Sequence, residues 1–350
     1  MRRMIGILRL THDLSDAELL ACLECDDSSF VEELHAAARE ACAQQYGKVV
    51  FIRGLIEFTN ICKNDCYYCG IRRSNSKVDR YRLSKEDVLD CCTRGHAMGF
   101  RTFVLQGGED GQLTDAFMCD LVSEIHRRFD DCAITLSIGE RSRESYQRLY
   151  DAGAQRYLLR HETATAEHYA RLHPKALMLK HRMNCLQDLK EIGYQVGCGL
   201  MVGSPFQTCE HLVRDLRYIK ELQPHMVGIG PFIPHHDTPF RDYPAGSTDM
   251  TLKLLSLVRL LVPGVLLPAT TALGTALGDG RERGVLAGAN VVMPNLSPLN
   301  VREKYSLYDN KLCTGDETAE QLEKLRERFA GIGYQVAVSR GDSLLTKNSN

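Results

Sequence analysis

Apolar and polar positions divide the chain into two patterns. In the first 47 residues, segments such as "FVEELHAAAREACAQQYG" repeat apolar residues at three- and four-residue steps, which predicts helices. Beyond them, short β-rich apolar runs alternate with amphipathic segments such as "LTDAFMCDLVSEIHRRF". The pattern therefore predicts repeated strand–helix units, with strands at 49–58, 102–108, 133–139, 156–162, 195–203, 226–233, 265–271 and 290–295.

Eight strands that alternate with helices predict an α/β fold, a (β/α)8 TIM barrel, with an open doubly wound sheet as the alternative. We assign 1–47 to an N-terminal helical extension, 48–312 to the barrel, and 313–350 to a C-terminal helix and a tail whose polar end we expect to be disordered. Such barrels carry functional groups at the carboxyl ends of their strands. Polar residues stand at those ends here: Glu109, Asp110, Ser137, Glu140, Arg160, Glu162, Thr270, Thr271 and Asn295.

Composition excludes several functional classes. The net charge is −2, so no basic footprint indicates a nucleic-acid or anionic-membrane partner. No uninterrupted apolar stretch reaches the roughly 18 residues of a membrane span. The start, "MRRMIGILRLTHDLSD", has no small-residue cleavage site, which argues against a signal peptide and favours the cytoplasm. Fourteen cysteines in such a chain are therefore expected to be reduced, most of them as small core residues.

Three cysteines directly follow the first predicted strand. Cys62, Cys66 and Cys69 are spaced C-x3-C-x2-C, and no fourth Cys or His follows at the spacing of a closed zinc site. Three thiolates suit a 4Fe-4S cluster that keeps one iron open to another ligand. Tyr68 would add an aromatic wall, and Gly70 would let the backbone bend close to the cluster. A structural or ferredoxin-like site is the alternative.

This motif in the first β/α loop of a barrel resembles the radical S-adenosylmethionine (SAM) superfamily. The resemblance implies that the methionine amino and carboxylate groups of SAM chelate the open iron. The segment "QGGED" after the second strand matches the family's GGE motif, which receives the methionine ammonium. The cofactor contacts that we predict on this basis are Tyr68, Gly107, Gly108, Glu109, Ser137, Arg160, Met201 and Ile229, with the last two packing the adenine.

Longer segments narrow the resemblance to the family of the FeFe-hydrogenase maturase HydE. They include "YLLRHETA" (157–164), "HMVGIGPFIPHHDTP" (225–239) and "GANVVMPNLSP" (288–298). This resemblance, from about residue 48 to 312, implies that Glu162 contacts the SAM ribose and Arg182 its carboxylate. It also implies a cavity inside the barrel for anionic or sulfur-containing small molecules, lined by Gln106, Thr135, Arg156, Thr270, Thr271, Tyr305 and Tyr308.

The family resemblance implies an enzyme that cleaves SAM reductively to a 5′-deoxyadenosyl radical. An external one-electron donor would reduce the cluster. The implied substrate is a small-molecule or organometallic iron species supplied by the partner maturase HydG. The implied product is a precursor of the di-iron subsite of the hydrogenase H-cluster, which passes to the scaffold HydF.

Three alternatives remain open at this point. A methylornithine synthase shares the barrel but lacks the "RHET" and "GPFIPH" stretches. Biotin synthase holds a second cluster on strand cysteines, whereas Thr135 occupies one such position here and Cys198 is one residue out of register with another. An iron–sulfur electron carrier would need neither the GGE motif nor "RHET".

The C-terminal region departs from many members of the HydE family. Those members carry further cysteines there for a second cluster, whereas "LCTGDETAEQLEK" keeps only Cys313. Gln321 and Lys324 stand where the other ligands would align. One cysteine cannot hold a cluster, so we expect a single, site-differentiated 4Fe-4S cluster in this chain.

Overall fold

The computed structural model describes residues 1–312 and 318–345. Its N-terminal segment forms three helices, in which Ser15 and Glu18 make a reciprocal capping box at the start of the second. The third helix packs its apolar face against a helix of the barrel, Thr248–Leu261. The bounds of these helices are α1 Arg2–Thr11, α2 Asp16–Glu24 and α3 Ser28–Tyr46.

Parallel strands form the central ring. They are β1 Val49–Ile52, β2 Gly54–Thr59, β3 Thr102–Gly107, β4 Ala133–Ser137, β5 Arg156–Leu158, β6 Gln195–Val202, β7 Met226–Pro231, β8 Val291–Val292 and β9 Gln335–Ala337. A six-stranded sheet runs in the order β2-β3-β4-β5-β6-β7, and a second sheet has the order β8-β1-β9. Isolated parallel bridges join the two sheets into a barrel: Met226 to Leu266, Pro268 to Val291 and Leu55 to Asn295.

The predicted barrel is confirmed, with two differences in its strands. The run 49–58 is divided at Arg53, because its first half pairs with β8 and β9 whereas its second half pairs with β3. The run 265–271 contributes only isolated bridges. Pro268 lies within it and has no N–H to donate to a strand ladder, which explains the interruption.

Helices surround the ring and connect its strands. Ser84 and Thr114 cap α4 and α5 by accepting bonds from backbone N–H groups three residues on. The remaining helices are α4 Lys85–Ala97, α5 Asp115–Arg128, α6 Arg143–Asp151, α7 Ala166–Leu172, α8 Leu179–Ile192, α9 Cys209–Leu222, α10 Thr248–Leu261, α11 Thr271–Ala276, α12 Gly280–Leu286, α13 Leu299–Arg302 and α14 Leu322–Gly331, the last preceded by a 3-10 turn, Ala319–Gln321. In the ranges that the structure describes, no helix combines the length and apolarity needed to span a bilayer.

The C-terminal tail closes the amino-terminal end of the barrel. The prediction of disorder is wrong for 340–345, whereas 346–350 lie outside the described residues. Asp342 pairs with Arg156 at 2.7 Å, and the hydroxyl of Ser343 donates to the carbonyl of Gly264 at 3.1 Å. The polar composition suggested solvent exposure, but the partners of these polar groups are supplied by the barrel.

Candidate functional site

A cavity of about 300 Å³ opens at the carboxyl ends of the strands. Its size suits a small-molecule ligand. Most of the predicted site residues line it: Cys62, Cys66, Tyr68, Cys69, Gln106, Gly107, Gly108, Glu109, Ser137, Arg160, Glu162, Arg182, Met201, Thr270, Tyr305 and Tyr308.

The cysteine loop leaves β2 and is held by its own polar side chains. Arg72 pairs with Asp65 at 2.7 Å, and the amide of Asn75 donates to the carbonyl of Gly70 at 2.8 Å. Gly70 permits close packing, because a Cβ atom there would lie 2.2 Å from the carbonyl oxygen of Ser306. The loop therefore presents its three thiols from a fixed backbone.

Burial keeps the three cysteines protonated in the absence of a cation. It raises the pKa of Cys62 and raises the pKa of Cys66 well above its ordinary value. The same effect raises the pKa of Cys69 to about 12. Thiolates are the metal ligands, so a positive centre must displace these protons when it binds. The donor set fits a 4Fe-4S cluster with three protein ligands.

The GGE segment brings the end of β3 against the cysteine loop. A Cβ atom on Gly108 would lie 2.2 Å from the carbonyl oxygen of Ile61 and 2.8 Å from Cβ of Cys62. Glu109 follows, and its buried Oε2 has no hydrogen-bond partner, although the ammonium of Lys63 lies 3.3 Å away. This arrangement leaves a buried carboxylate oxygen available to a cationic ligand beside the cluster loop.

Other charged groups around the cavity also have unsatisfied atoms in the described part of the chain. They include Nε of Arg160, and also Nη2 of Arg160 and Oε2 of Glu162, which lie 3.2 Å apart as an ion pair but make no hydrogen bond. Buried polar atoms without partners are rare in folded proteins and mark positions that a ligand fills. Acceptors and donors on several strands thus suit a zwitterionic, hydroxyl-bearing molecule such as SAM.

Two residues that the sequence analysis did not assign to the site contact residues that line the cavity. Glu140 lies 2.5 Å from Nε of Arg182, and Nε2 of His173 lies 3.1 Å from the hydroxyl of Tyr68. Glu140 was among the polar residues predicted at the strand ends, but the sequence assigned it no contact. His173 carries no sequence signal, because its contact with Tyr68 depends on the approach of α7 to the cysteine loop.

Four predicted residues do not line this cavity: Ile229, Thr271, Thr135 and Arg156. Ile229 belongs to the hydrophobic core, because the neighbouring Gly230 takes the inward position on β7. Thr271 begins α11 and contacts Arg281, whereas Thr270 lines the cavity. The side-chain contacts predicted for Ile229 and Thr271 are therefore corrected.

Thr135 and Arg156 lie at the opposite end of the barrel. They are paired in register on β4 and β5 and line a separate cavity of about 10 Å³, roughly the space of one water molecule. Arg156 is bonded there to Thr102, the carbonyl of Arg340 and Asp342. The prediction that Arg156 and Thr135 share one substrate pocket with Thr270 is wrong, because these residues come from opposite ends of the strands.

Of the three residues considered for a second cluster, Cys313 lies outside the described residues. Gln321 ends the 3-10 turn, and Lys324 lies in α14. The expectation of a single cluster stays a prediction.

Several known proteins resemble this chain in sequence and fold. Residues 56–219 match the model of the radical SAM superfamily. The chain is 44% identical to the [FeFe] hydrogenase maturase subunit HydE of Thermotoga maritima over 84% of each chain. It is 29% identical to 3-methylornithine synthase of Methanosarcina acetivorans, over 93% of this chain and 91% of that protein. The crystal structure of methylornithine synthase (PylB) superposes with a TM-score of 0.84 at 26% identity, covering 95% of this chain and 97% of the other.

The extent of the match to HydE is sufficient to establish family membership, and it confirms the resemblance inferred from the motifs. The three cysteines and the GGE segment both lie within the residues that match the superfamily model. The chain therefore belongs to the radical SAM superfamily, in the family of the maturase HydE, and is an enzyme that uses a 4Fe-4S cluster and SAM.

Proposed function

We propose that this enzyme acts in the assembly of the di-iron subsite of FeFe-hydrogenase. One observation carries the proposal: the three cysteines, the GGE segment and the charged residues of "RHET" converge on one cavity, in a chain 44% identical to a hydrogenase maturase. A carrier of electrons would need no such cavity beside its cluster.

Different residues of the cavity would bind the cluster and the charged groups of SAM. Cys62, Cys66 and Cys69 would hold the cluster. Glu109 would accept from the methionine ammonium of SAM, and Arg182 would donate to its carboxylate, since charge-assisted hydrogen bonds of this kind are strong. When bound, the reduced cluster supplies the electron that cleaves the S–C5′ bond of SAM to methionine and a 5′-deoxyadenosyl radical.

A second group of residues supports a polar substrate in the same cavity. Gln106, Tyr305 and Tyr308 offer amide and hydroxyl groups, with Nε2 of Gln106 3.5 Å from the hydroxyl oxygen of Tyr305. Burial raises the pKa of Tyr305 well above its ordinary value, and it also raises the pKa of Tyr308. Both phenols therefore stay protonated and donate hydrogen bonds, which suits an anionic or organometallic substrate.

The cellular setting is part of the proposal. The similarity to HydE supports a cytoplasmic enzyme that takes its substrate from HydG, passes its product to HydF and receives single electrons from an external donor. The absence of a membrane-spanning helix from the described ranges is compatible with this setting.

The cluster assignment is tested by three single variants. Cys62→Ala, Cys66→Ala and Cys69→Ala, each reconstituted with iron and sulfide, are expected to lose reductive SAM cleavage under dithionite, because each removes a ligand. Wild-type cleavage by any one of them would contradict the assignment.

The maturation role is tested with purified HydG, HydF and immature hydrogenase. Tyr305→Phe removes one hydroxyl from the cavity and is expected to reduce the hydrogenase activity obtained, while SAM cleavage without substrate persists. Tyr46→Phe is the control, since its hydroxyl contacts Gly264 at the other end of the barrel.

The second candidate function is a methylornithine synthase, which the 29% identity and the shared fold favour. Incubation with lysine and SAM separates the two functions. Formation of 3-methylornithine, together with failure to mature hydrogenase, would reject the proposal.

A further inference from the structure

The chain enters the cavity after β5 through a β-bulge. Leu158 lies opposite Gly197, but the next bridge joins Glu162 to Leu200. The segment after β5 therefore advances four residues while β6 advances three. Leu159 and Glu162 donate to the carbonyls of Gly197 and Gly199, each at 2.9 Å. One extra residue is therefore accommodated between these two bonds.

The bulge decides which side chains face the cavity. Arg160 and Glu162 both line it, whereas His161 does not. Glu162 has a φ of 66°, in the left-handed region that a residue with a Cβ atom adopts only when its surroundings hold it there. Neighbouring contacts must therefore hold the backbone of Glu162, while its carboxylate lies 3.2 Å from Nη2 of Arg160.

Those contacts come from His161 and from Asp215 of α9, both fully buried. The N–H of Gly199 donates to Nδ1 of His161 at 3.3 Å. Nε2 of the same ring lies 3.3 Å from Oδ1 of Asp215, a charge contact without hydrogen-bond geometry. The same oxygen accepts from the N–H of Ala164 at 2.5 Å. The pair therefore joins α9 and β6 to the residues on either side of Glu162.

We propose that His161 and Asp215 are positioning residues, which hold the bulge so that Glu162 faces the ribose of SAM. Neither residue lines the cavity, and neither has an assigned role in the reaction. The inference rests on the proposed contact between Glu162 and the ribose. Without the pair, the segment loses the acceptor for Ala164 and the anchor at Gly199, and the bulge is free to relax towards a regular strand.

The test compares two ligands on the anaerobically reconstituted enzyme. S-adenosylhomocysteine carries the ribose, whereas methionine lacks it, and calorimetry measures the Kd of each. Asp215→Ala is expected to raise the Kd for S-adenosylhomocysteine about tenfold and to leave the Kd for methionine within about twofold.

Two conservative variants grade the effect. Asp215→Asn keeps an acceptor for Ala164 and is expected to retain most of the affinity for S-adenosylhomocysteine. His161→Asn keeps the acceptor for Gly199 but not the contact with Asp215, so an intermediate loss is expected.

A matched control removes a different imidazole. His35 is hydrogen-bonded to Ser256 in the helical layer, and His35→Asn is expected to leave both affinities unchanged. An equal loss for both ligands in Asp215→Ala would overturn the positioning role, since it would report general damage. If Asp215→Ala does not fold, an unchanged ratio of the two affinities in His161→Asn overturns it as well.

Glu162→Ala separates this inference from the contact on which it rests, because it leaves no side-chain acceptor for the ribose hydroxyls. A normal Kd for S-adenosylhomocysteine in Glu162→Ala would reject the ribose contact itself. A weakened Glu162→Ala beside a normal Asp215→Ala would reject the positioning role alone.

Discussion

A buried ion pair ties the segment that covers the cavity to the first strand of the six-stranded sheet. Nζ of Lys311 lies 2.6 Å from Oε1 of Glu57, whose side chain is fully buried, and the lysine side chain is only 8% exposed. The amide of Asn295 donates to the other carboxylate oxygen at 2.9 Å. Lys311 also donates to the carbonyl of Tyr305 at 3.0 Å. Lys311→Met would keep the length of the side chain and leave the Glu57 carboxylate without its counter-ion.

Removing one partner of a buried pair costs about 3–5 kcal/mol of unfolding free energy. An unfolding entropy of roughly 2.1 cal/mol/K per residue amounts to about 0.7 kcal/mol/K for a chain of this length, so Lys311→Met is expected to lower Tm by about 4–7 °C. The assay is thermal unfolding at a fixed scan rate. Lys304→Met is the matched control, because its partner Asp79 is 70% exposed and such surface pairs contribute about 1 kcal/mol or less.

The double variant Glu57→Gln/Lys311→Met tests the cause of the loss. It removes both charges, so it is expected to recover most of the Tm lost in Lys311→Met. Equal shifts in Lys311→Met and Lys304→Met, or a double variant less stable than Lys311→Met, would refute the reasoning.

Three further predictions concern the cluster loop, the tail and the number of clusters. Gly108→Ala is expected to abolish cluster binding, measured by absorbance after reconstitution, because its Cβ atom would displace Ile61 or Cys62, whereas Gly111→Ala, where no atom lies within 4 Å, is expected to bind normally. Burial opposes the charge of Asp342, but Arg156 outweighs it and lowers the pKa of Asp342 to about 2, so its contribution to stability is present above its ordinary pKa and lost as pH falls through about 2. Asp342→Asn should therefore lower the free energy of unfolding more at pH 7 than near pH 2, and by less than about 1 kcal/mol, because the side chain of Asp342 is 41% exposed; an equal decrease at both pH values would contradict this account. Iron analysis is expected to find roughly four irons per chain, unchanged in Cys313→Ser, and a content near six or eight that falls in this variant would show a second cluster.

The sequence by itself determined the class of fold and the core of the site. The alternation of apolar runs and amphipathic segments is set by local periodicity, so the strands and helices could be predicted without tertiary information. Cys62, Cys66 and Cys69 lie within one loop, and Gly107 to Glu109 are consecutive residues at the end of β3. Their functional arrangement therefore follows from short spacings and from the rule that strand ends meet at one face of a barrel.

Only the tertiary structure decided which distant residues share a cavity. The family resemblance placed the polar residues Thr135 and Arg156 in the substrate cavity. Their positions along the strands instead put them at the opposite end of the barrel from Thr270. Depth within a barrel depends on strand register and stagger, which a single sequence does not specify.

Two other features also depended on long-range contacts. Residues 340–345 of the polar tail are ordered because Arg156 pairs with Asp342 and the carbonyl of Gly264 accepts from Ser343. The bulge at Glu162 depends on Asp215, which lies more than fifty residues away on a helix outside the ring. A local pattern contains no information about partners at such separations, so only the folded chain reveals what holds the site.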